Sequence, residues 1–181
     1  MTILKRTHLE IAGAIPDLEE LQTLPRHPVT IICENIRSLN NVGSIFRTAD
    51  GIRVAKLILC GYTGCPPRKE IDKVALGAVE SVPWEYRASA IEAVADLRAA
   101  DVQVVALEHT DSSESYHAFP WRFPVAIVIG NECEGISPEV VAACDAAVEI
   151  PMYGIKQSLN VSTAVGVVGY EVMRIYRERN P

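Results

Sequence analysis

The sequence predicts a single α/β domain whose mainly parallel sheet carries helices on both faces. The chain has 181 residues, which is about the length of one domain. Hydrophobic residues make up 49% and charged residues 22%, the usual balance of a globular protein. Short apolar runs alternate with helical patterns, the order expected of parallel strands joined by crossover helices. We expect residues 1–28 to be a short N-terminal lead-in and residues 29–181 to form the domain.

The strands are predicted from short runs of apolar, often β-branched residues. The run at 125–129 is entirely apolar, which is typical of a strand buried on both faces. A short strand is predicted around 84–87. The remaining predicted strands are 29–33, 54–60, 102–107 and 146–150.

The helices of the first half are predicted from breakers and caps. A short helix from about Asp17 to Leu24 ends before Pro25. Another follows the polar loop 34–41, where Asn41 is the candidate cap, and it stops near residue 51. A further helix is expected at 68–76.

The helices of the second half have clearer starting signals. Ser89 and Glu92 are spaced as a capping box for a helix that runs to residue 100. Ser137, followed by Pro138, is predicted to cap the next helix. The terminal helix is expected at 160–177.

The composition argues against a membrane, secreted or metal-binding protein. The uncharged stretch 157–170 is shorter than the ~20 apolar residues that a bilayer requires. The N-terminus has no apolar run long enough for a signal peptide, so we expect a cytoplasmic protein. The five cysteines form no C-x-x-C pair and share no zinc-ligand spacing with the four histidines, so we expect no metal.

The negative charge of the chain is regional. The formal net charge is −6, which tells against a protein held to nucleic acid by bulk attraction. However, the stretch 108–149 alone carries −7, and the stretch 34–56 carries +2. A local basic surface is therefore compatible with the composition.

The common nucleotide and hydrolase motifs are missing. Residues 130–137 resemble a P-loop, but Ile136 occupies the position of its lysine. No G-x-G-x-x-G follows a strand, and no G-x-S-x-G is present. These absences weaken the interpretation as an NTPase, a dinucleotide enzyme or a serine hydrolase.

Three polar loops follow the predicted strands 29–33, 125–129 and 146–150. Ligands of parallel α/β sheets bind beyond the carboxyl ends of the strands, so these loops are the candidate site. Each also has a plain structural interpretation. The first could be a capped helix with a surface arginine, the second a turn with an acidic tip, and the third an ordinary helix start.

Together the loops resemble the three signature motifs of the SpoU (TrmH) family of RNA ribose 2′-O-methyltransferases, part of the SPOUT superfamily. The pattern N-x-G-x-x-x-R-T-A matches Asn41, Gly43, Arg47, Thr48 and Ala49. The pattern G-x-E-x-x-G-[IL] matches Gly130, Glu132, Gly135 and Ile136. The pattern I-P-M…S-L-N-V-S matches Ile150, Pro151, Met152, Ser158, Leu159, Asn160, Val161 and Ser162. The resemblance covers about residues 29–178.

The resemblance implies a SPOUT fold whose C-terminal part forms a deep trefoil knot and binds S-adenosylmethionine. The cofactor would be held largely through backbone groups after the motif strands. The implied cofactor-binding residues are Leu107, Gly130, Ile150, Ser158 and Leu159. It also implies a homodimer with the site near the interface. One apolar stripe on the terminal helix is a candidate dimer surface, unless it packs within its own subunit: Val165, Val168, Val172 and Ile175.

The resemblance further implies methyl transfer to a ribose 2′-hydroxyl of structured RNA, with tRNA expected before rRNA. A guanidinium hardly ever loses its proton, so we expect Arg47 to clamp a phosphate and to stabilise the forming alkoxide. Asn41 would hold Arg47 or the ribose, and Glu132 would orient the arginine. Ser158 and Asn160 would line the pocket.

The RNA would be contacted by the domain itself, because the lead-in is short. The main candidates are Arg37, Arg53, Arg68 and Lys69. Two alternatives remain at this point: a methyltransferase acting on a base, and a catalytically silent RNA-binding module.

Overall fold

One parallel sheet organises the chain. The computed structural model describes residues 3–180, and within that range seven strands pair with one another in parallel. They are β1 (His27–Glu34), β2 (Val54–Cys60), β3 (Trp84–Arg87), β4 (Gln103–Leu107), β5 (Glu114–Ser115), β6 (Val125–Ile129) and β7 (Ala146–Glu149). Their order across the sheet is β3-β2-β1-β6-β4-β7-β5.

Eight helices occur in the same range. They are α1 (His8–Ala12), α2 (Leu18–Thr23), α3 (Leu39–Gly51), α4 (Lys69–Ala75), α5 (Ala78–Ser81), α6 (Ala90–Ala99), α7 (Pro138–Ala143) and α8 (Val161–Arg179). The predicted strands and the six predicted helices are confirmed to within a few residues. The two-residue β5, the five-residue α1 and the four-residue α5 were not predicted.

Helices cover both faces of the sheet, as predicted. One apolar cluster contains the buried sides of α3, α4, α5 and α8, and a second contains those of α6 and α7. The central strands β1 and β6 lie between the clusters, and all five residues of β6 are buried. The prediction of a strand buried on both faces is therefore confirmed.

α3 and α4 approach each other closely at Gly43. A Cβ atom at this position would lie only 2.6 Å from the carbonyl oxygen of Ile71, so a side chain does not fit. This contact explains the glycine of the first motif as a packing requirement, and it fixes how α3 leaves the sheet.

One predicted cap is wrong and another is confirmed in position only. The cap of α3 is Ser38, whose hydroxyl accepts from the backbone N–H of Asn41, so Asn41 lies within the first turn. Ser137 occupies the N-cap position of α7 and Pro138 begins the helix, as predicted. However, the Ser137 hydroxyl donates to Glu34 at 2.6 Å and makes no capping hydrogen bond.

The apolar stripe of α8 packs within its own subunit. Val165, Val168, Val172 and Ile175 are at most 9% exposed and belong to the apolar cluster shared with α3. The interpretation of this stripe as a dimer surface is therefore wrong.

Because the strands are parallel, their carboxyl ends share one edge of the sheet, here called the carboxyl edge. The loops that follow β1, β2, β4, β6 and β7 leave the sheet there. The opposite edge, where the strands begin, is called the amino edge. None of the helices in residues 3–180 is long and apolar enough to cross a membrane.

Candidate functional site

A cavity of about 470 Å³ lies at the carboxyl edge, between the loops after β4, β6 and β7 and the start of α8. Pockets for small molecules in proteins span about 300–1,000 Å³. The lining includes every residue predicted to bind the cofactor: Leu107, Gly130, Ile150, Ser158 and Leu159. Three loops that are far apart in the sequence therefore build one pocket.

The pocket combines apolar walls with free backbone groups. Ile129, Ile150 and Met152 supply apolar side chains. Within residues 3–180, the backbone N–H groups of Gly130, Ile150 and Leu159 donate no hydrogen bond, although all three residues line the cavity. Such groups can bind the polar edges of a ligand whose rings pack on the apolar wall.

The pocket is strongly acidic. Glu108, Glu132, Glu134 and Glu149 all line it, so half of the eight acids of the stretch 108–149 converge here. Carboxylates around a cavity favour a cationic ligand. The regional acidity of the sequence is therefore largely a property of this pocket.

Glu108 shapes the loop after β6. Its carboxylate accepts from the backbone N–H of His109 and from that of Ile136, both at 2.9 Å. Gly135 has a φ of 71° and its Cα faces this carboxylate so closely that a Cβ would collide with it. The last glycine of the second motif is thus required by its backbone conformation and by Glu108.

His109 ties the wall of the pocket to the loop between β7 and α8. Its Nδ1 lies 3.1 Å from a carboxylate oxygen of Glu149, and its Nε2 lies 2.9 Å from the carbonyl oxygen of Gln157. Both partner atoms accept hydrogen bonds, so only the doubly protonated ring can donate to both. The hydroxyl of Ser113 and the His109 ring together lower the pKa of Glu149. No sequence pattern pointed to His109 or Ser113 as residues of the site.

Glu132, Asn41 and Asn160 connect the three motif loops, and we call this group the motif junction. The Glu132 carboxylate accepts from the backbone N–H groups of Arg37 and Ser38, at 2.8 and 2.9 Å. It also accepts from the Asn41 amide at 2.8 Å, while the Asn41 oxygen accepts from Asn160 at 3.0 Å. Each motif contributes one side chain, so the junction fixes the loops relative to one another.

The charge of Glu132 is stabilised by this arrangement. Burial raises its pKa, but the N–H groups of Arg37 and Ser38 and the Asn41 amide outweigh burial and lower the pKa below its ordinary value. Asn160 has a second task, because its oxygen accepts from the N–H and the hydroxyl of Ser162 and so caps α8.

Asn131 is a further site residue that sequence reasoning missed. It is 6% exposed, and its amide donates to the carbonyl of Asn35 and to the hydroxyl of Tyr62. Its oxygen accepts from the N–H groups of Cys133 and Glu134. An asparagine between Gly130 and Glu132 was the available signal, but its partners are distant in the sequence.

Arg47 lies outside the pocket. It is exposed on α3 and borders a separate depression with residues of α2 and of the segment 75–81. Its guanidinium makes no hydrogen bond to any of the residues 3–180, and Glu132 is bonded to other groups. Within residues 3–180 of one chain, neither Glu132 nor Asn41 bonds to Arg47, so the expectations that Glu132 orients the arginine and that Asn41 holds it or the ribose stay predictions.

The predicted RNA-contact residues fall into two groups. Arg37 and Arg68 are exposed in the loops after β1 and β2 at the carboxyl edge, and the exposed Lys69 begins α4 directly after the second of these loops. Arg53 precedes β2 at the amino edge, where its Nη2 lies 3.4 Å from His27 and its buried Nε has no partner within residues 3–180. Arg53 is thus at the far edge from the pocket.

The family model of the SpoU rRNA Methylase family matches residues 28–170. The chain is 28% identical over 173 residues to the tRNA (guanosine(18)-2′-O)-methyltransferase of Aquifex aeolicus, covering 95% of this chain and 81% of that protein. It is 30% identical over 156 residues to the 23S rRNA (guanosine-2′-O-)-methyltransferase RlmB of Neisseria meningitidis, covering 85% of this chain but only 61% of RlmB.

Solved structures give the same family. The A. aeolicus TrmH/SpoU tRNA modifying enzyme matches with a TM-score of 0.82 at 29% identity, covering 90% of this chain and 84% of that one. The AdoMet-bound rRNA methyltransferase from Sinorhizobium meliloti matches with a TM-score of 0.76 at 29% identity, covering 86% of this chain and 60% of that one.

Proposed function

Because the chain belongs to the SpoU rRNA methylase family, we propose that it transfers a methyl group from S-adenosylmethionine to a ribose 2′-hydroxyl of tRNA or rRNA. One observation carries the proposal. The second and third motif loops line a single pocket, and the motif junction joins the first motif loop to both of them. The plain structural interpretations of the separate loops do not account for this convergence.

The pocket suits S-adenosylmethionine by its chemistry. The cofactor combines an adenine ring, a ribose and a positively charged sulfonium. The apolar wall fits the adenine, and the backbone groups of Gly130, Ile150 and Leu159 would hold its polar edges. The four glutamates favour the positive charge. When bound, the cofactor supplies a methyl group already activated for transfer.

The residues of the chain would orient the reactants and stabilise the developing charge. A ribose hydroxyl is a weak acid, so a cation that stabilises the alkoxide accelerates its attack. We propose that Arg47 supplies this cation and clamps the neighbouring phosphate through its planar guanidinium. Glu132, Asn41 and Asn160 act as positioning residues, because their hydrogen bonds hold the three motif loops in place relative to one another.

We propose that a homodimer brings Arg47 of one protomer to the pocket of the other. Three features support this arrangement: Arg47 is exposed, its guanidinium bonds to none of the residues 3–180, and the pocket is acidic. A two-fold dimer would place both arginines in equivalent positions. The stripe of α8 cannot form this interface because it is buried within the protomer.

We also propose that the C-terminal part of the domain forms the trefoil knot of the SPOUT fold. The support comes from the strand order. β7 inserts between β4 and β5, which precede it in the chain, and the segment 150–160 then returns over the pocket to start α8. A late strand placed between two earlier ones is compatible with such threading.

The RNA would approach the carboxyl edge, where Arg37, Arg68 and Lys69 are exposed. This surface is small, so binding would depend on the shape of the RNA and would weaken with salt. We place tRNA before rRNA as the substrate.

The test is methyl transfer from radiolabelled S-adenosylmethionine to unfractionated tRNA and to rRNA, followed by alkaline hydrolysis. A 2′-O-methyl group blocks cleavage of the adjacent phosphodiester, so the label should remain in dinucleotides. Label in mononucleotides would indicate a methylated base, and no label in either RNA would contradict the proposed activity. Gly130→Ala is the control, because a Cβ there collides with the backbone at Gly135 and should abolish the signal.

A further inference from the structure

Tyr62 is an exposed aromatic side chain that the proposed function does not yet use. It lies in the loop that follows β2 at the carboxyl edge, and it is 59% exposed. Single exposed rings are common and assign no role by themselves, but few are held in place by a buried side chain. The surroundings of Tyr62 indicate its role.

The ring is held at both ends. Its hydroxyl accepts a hydrogen bond of 2.7 Å from the buried amide of Asn131, and its backbone N–H donates to the Asn35 side chain at 3.1 Å. The next residue, Thr63, is 3% exposed and bonds to the carbonyl of Cys33 and to the N–H of Ile36. Tyr62 is thus an exposed ring on a fixed support, so little side-chain entropy remains to be lost on binding.

The support also belongs to the cofactor pocket. Asn131 lines the cavity, and the same amide that binds Tyr62 also binds the carbonyl of Asn35 in the loop after β1. The Tyr62 side chain is therefore bonded directly to Asn131, a residue of the pocket wall. The exposed cations Arg37 and Arg68 lie in the loops after β1 and β2, and the exposed Lys69 is the first residue of α4.

We propose that Tyr62 is a stacking platform for an unpaired base of the substrate RNA, next to the methylated ribose. The proposal rests on the function above and specifies its substrate as a single-stranded or looped RNA segment. A fixed aromatic ring beside cations is the arrangement by which proteins bind such segments, since every base has a stacking face. In a duplex the base faces are covered by their neighbours and cannot reach the ring.

The experiment compares Tyr62→Leu with Tyr62→Phe. Leucine removes the ring, whereas phenylalanine keeps the ring and removes only the hydrogen bond to Asn131. Tyr170→Leu is the matched control, because Tyr170 is 58% exposed but borders the depression around His27 at the amino edge. The measurements are the KM for unfractionated tRNA and the affinity for S-adenosylmethionine. We also measure the affinity for a fluorescent single-stranded RNA 12-mer and for the corresponding duplex.

We expect Tyr62→Leu to raise the KM for tRNA and the dissociation constant for the single strand about ten-fold, the effect of losing one stacked base. Duplex binding and cofactor affinity should stay unchanged, and Tyr62→Phe and Tyr170→Leu should resemble the wild type. If Phe and Leu were equally impaired and both lost cofactor affinity, Tyr62 would only support the pocket and the proposal would be overturned.

Failure of the proposal and failure of the function can be told apart. A wild-type protein that methylates RNA while Tyr62→Leu keeps a normal KM would overturn the platform alone. A protein that methylates no RNA, but whose single-strand binding depends on the ring, would overturn the methyltransferase function and leave the platform standing.

Discussion

The pocket at the carboxyl edge and the middle of α3 differ in how complete they are within one chain. At the pocket, residues from three loops contact one another, and every predicted cofactor-binding residue lines the cavity. In the middle of α3, Arg47 is exposed and its guanidinium bonds to none of the residues 3–180. The comparison teaches that one chain builds the pocket alone, whereas Arg47 is placed away from it and, in the proposed mechanism, reaches only the pocket of a second protomer.

The largest effect is expected at Arg47. Replacement of Arg47 by alanine should lower kcat for methyl transfer about 100- to 1,000-fold, the usual cost of removing one group that stabilises a developing oxyanion. Affinity for S-adenosylmethionine, measured by calorimetry, should not change, because each chain lines its own pocket without Arg47 and the proposed role of Arg47 is toward the RNA. Arg122→Ala, which removes another exposed arginine, is the control. A large loss of cofactor affinity in Arg47→Ala would remove the distinction between the two regions.

The next effect is expected at the motif junction. Glu132→Gln weakens the acceptor of three hydrogen bonds, so we expect the free energy of unfolding at pH 7 to fall by about 1–2 kcal/mol, allowing for the exposure of this carboxylate. Glu134→Gln is the matched control, because its side chain makes no hydrogen bond within residues 3–180. Urea denaturation measures both variants.

The wild type and the Glu132→Gln variant should also differ in how their stability depends on pH. The pKa of Glu132 is lowered in the fold, so its stabilising contribution is present above the ordinary glutamate pKa of about 4.3 and is lost as the pH falls through the folded value. The wild type should therefore be more stable than Glu132→Gln at pH 7, and the difference should shrink at about pH 3. A difference independent of pH would show that the charge of Glu132 is not what stabilises the junction.

The smallest effect is expected at His109. Its ring nitrogens lie 3.1 Å from Glu149 and 2.9 Å from the Gln157 carbonyl, so His109→Ala removes both contacts between the pocket wall and the loop before α8. We expect cofactor affinity, measured by calorimetry, to weaken about five-fold, the equivalent of one hydrogen bond.

His117→Ala is the control, because it removes a histidine that bonds to Ser115 and does not line the pocket. This variant should bind the cofactor like the wild type. An unchanged cofactor affinity in His109→Ala would show that the ring does not hold the pocket wall in place.

The sequence was sufficient to predict the sheet and the cofactor loops, because both depend on local patterns. The apolar run of β6 and the glycine, asparagine and glutamate that follow it are neighbours in the chain. The carboxyl ends of parallel strands then bring such loops together without further information.

The errors occurred where distant residues compete for one group. Ser137 was predicted as a cap, but the carboxylate of Glu34 takes its hydroxyl, 103 residues away in the sequence. Asn41 and Ser38 are both plausible caps, but the oxygen of Asn41 accepts from Asn160 and its amide donates to Glu132, so Ser38 caps α3. Likewise, the periodicity of α8 identified an apolar stripe but not the α3 surface that covers it.

The roles of Asn131 and His109 could not be predicted for the same reason. His109 binds residues 40 and 48 positions further along the chain, and Asn131 binds residues 96 and 69 positions earlier. A lone histidine or asparagine carries no local pattern that indicates such partners.

The most direct test of the division between the two regions is a mixing experiment with two inactive variants, Arg47→Ala and Gly130→Ala. The first keeps a sound pocket, and the second keeps its arginine. If Arg47 acts on the pocket of the other protomer, co-refolded mixtures should recover about a quarter of the wild-type methyl transfer, since half of the dimers are mixed and each has one complete site. Recovery to this level is the predicted result, and a mixture as inactive as its two components would contradict the account.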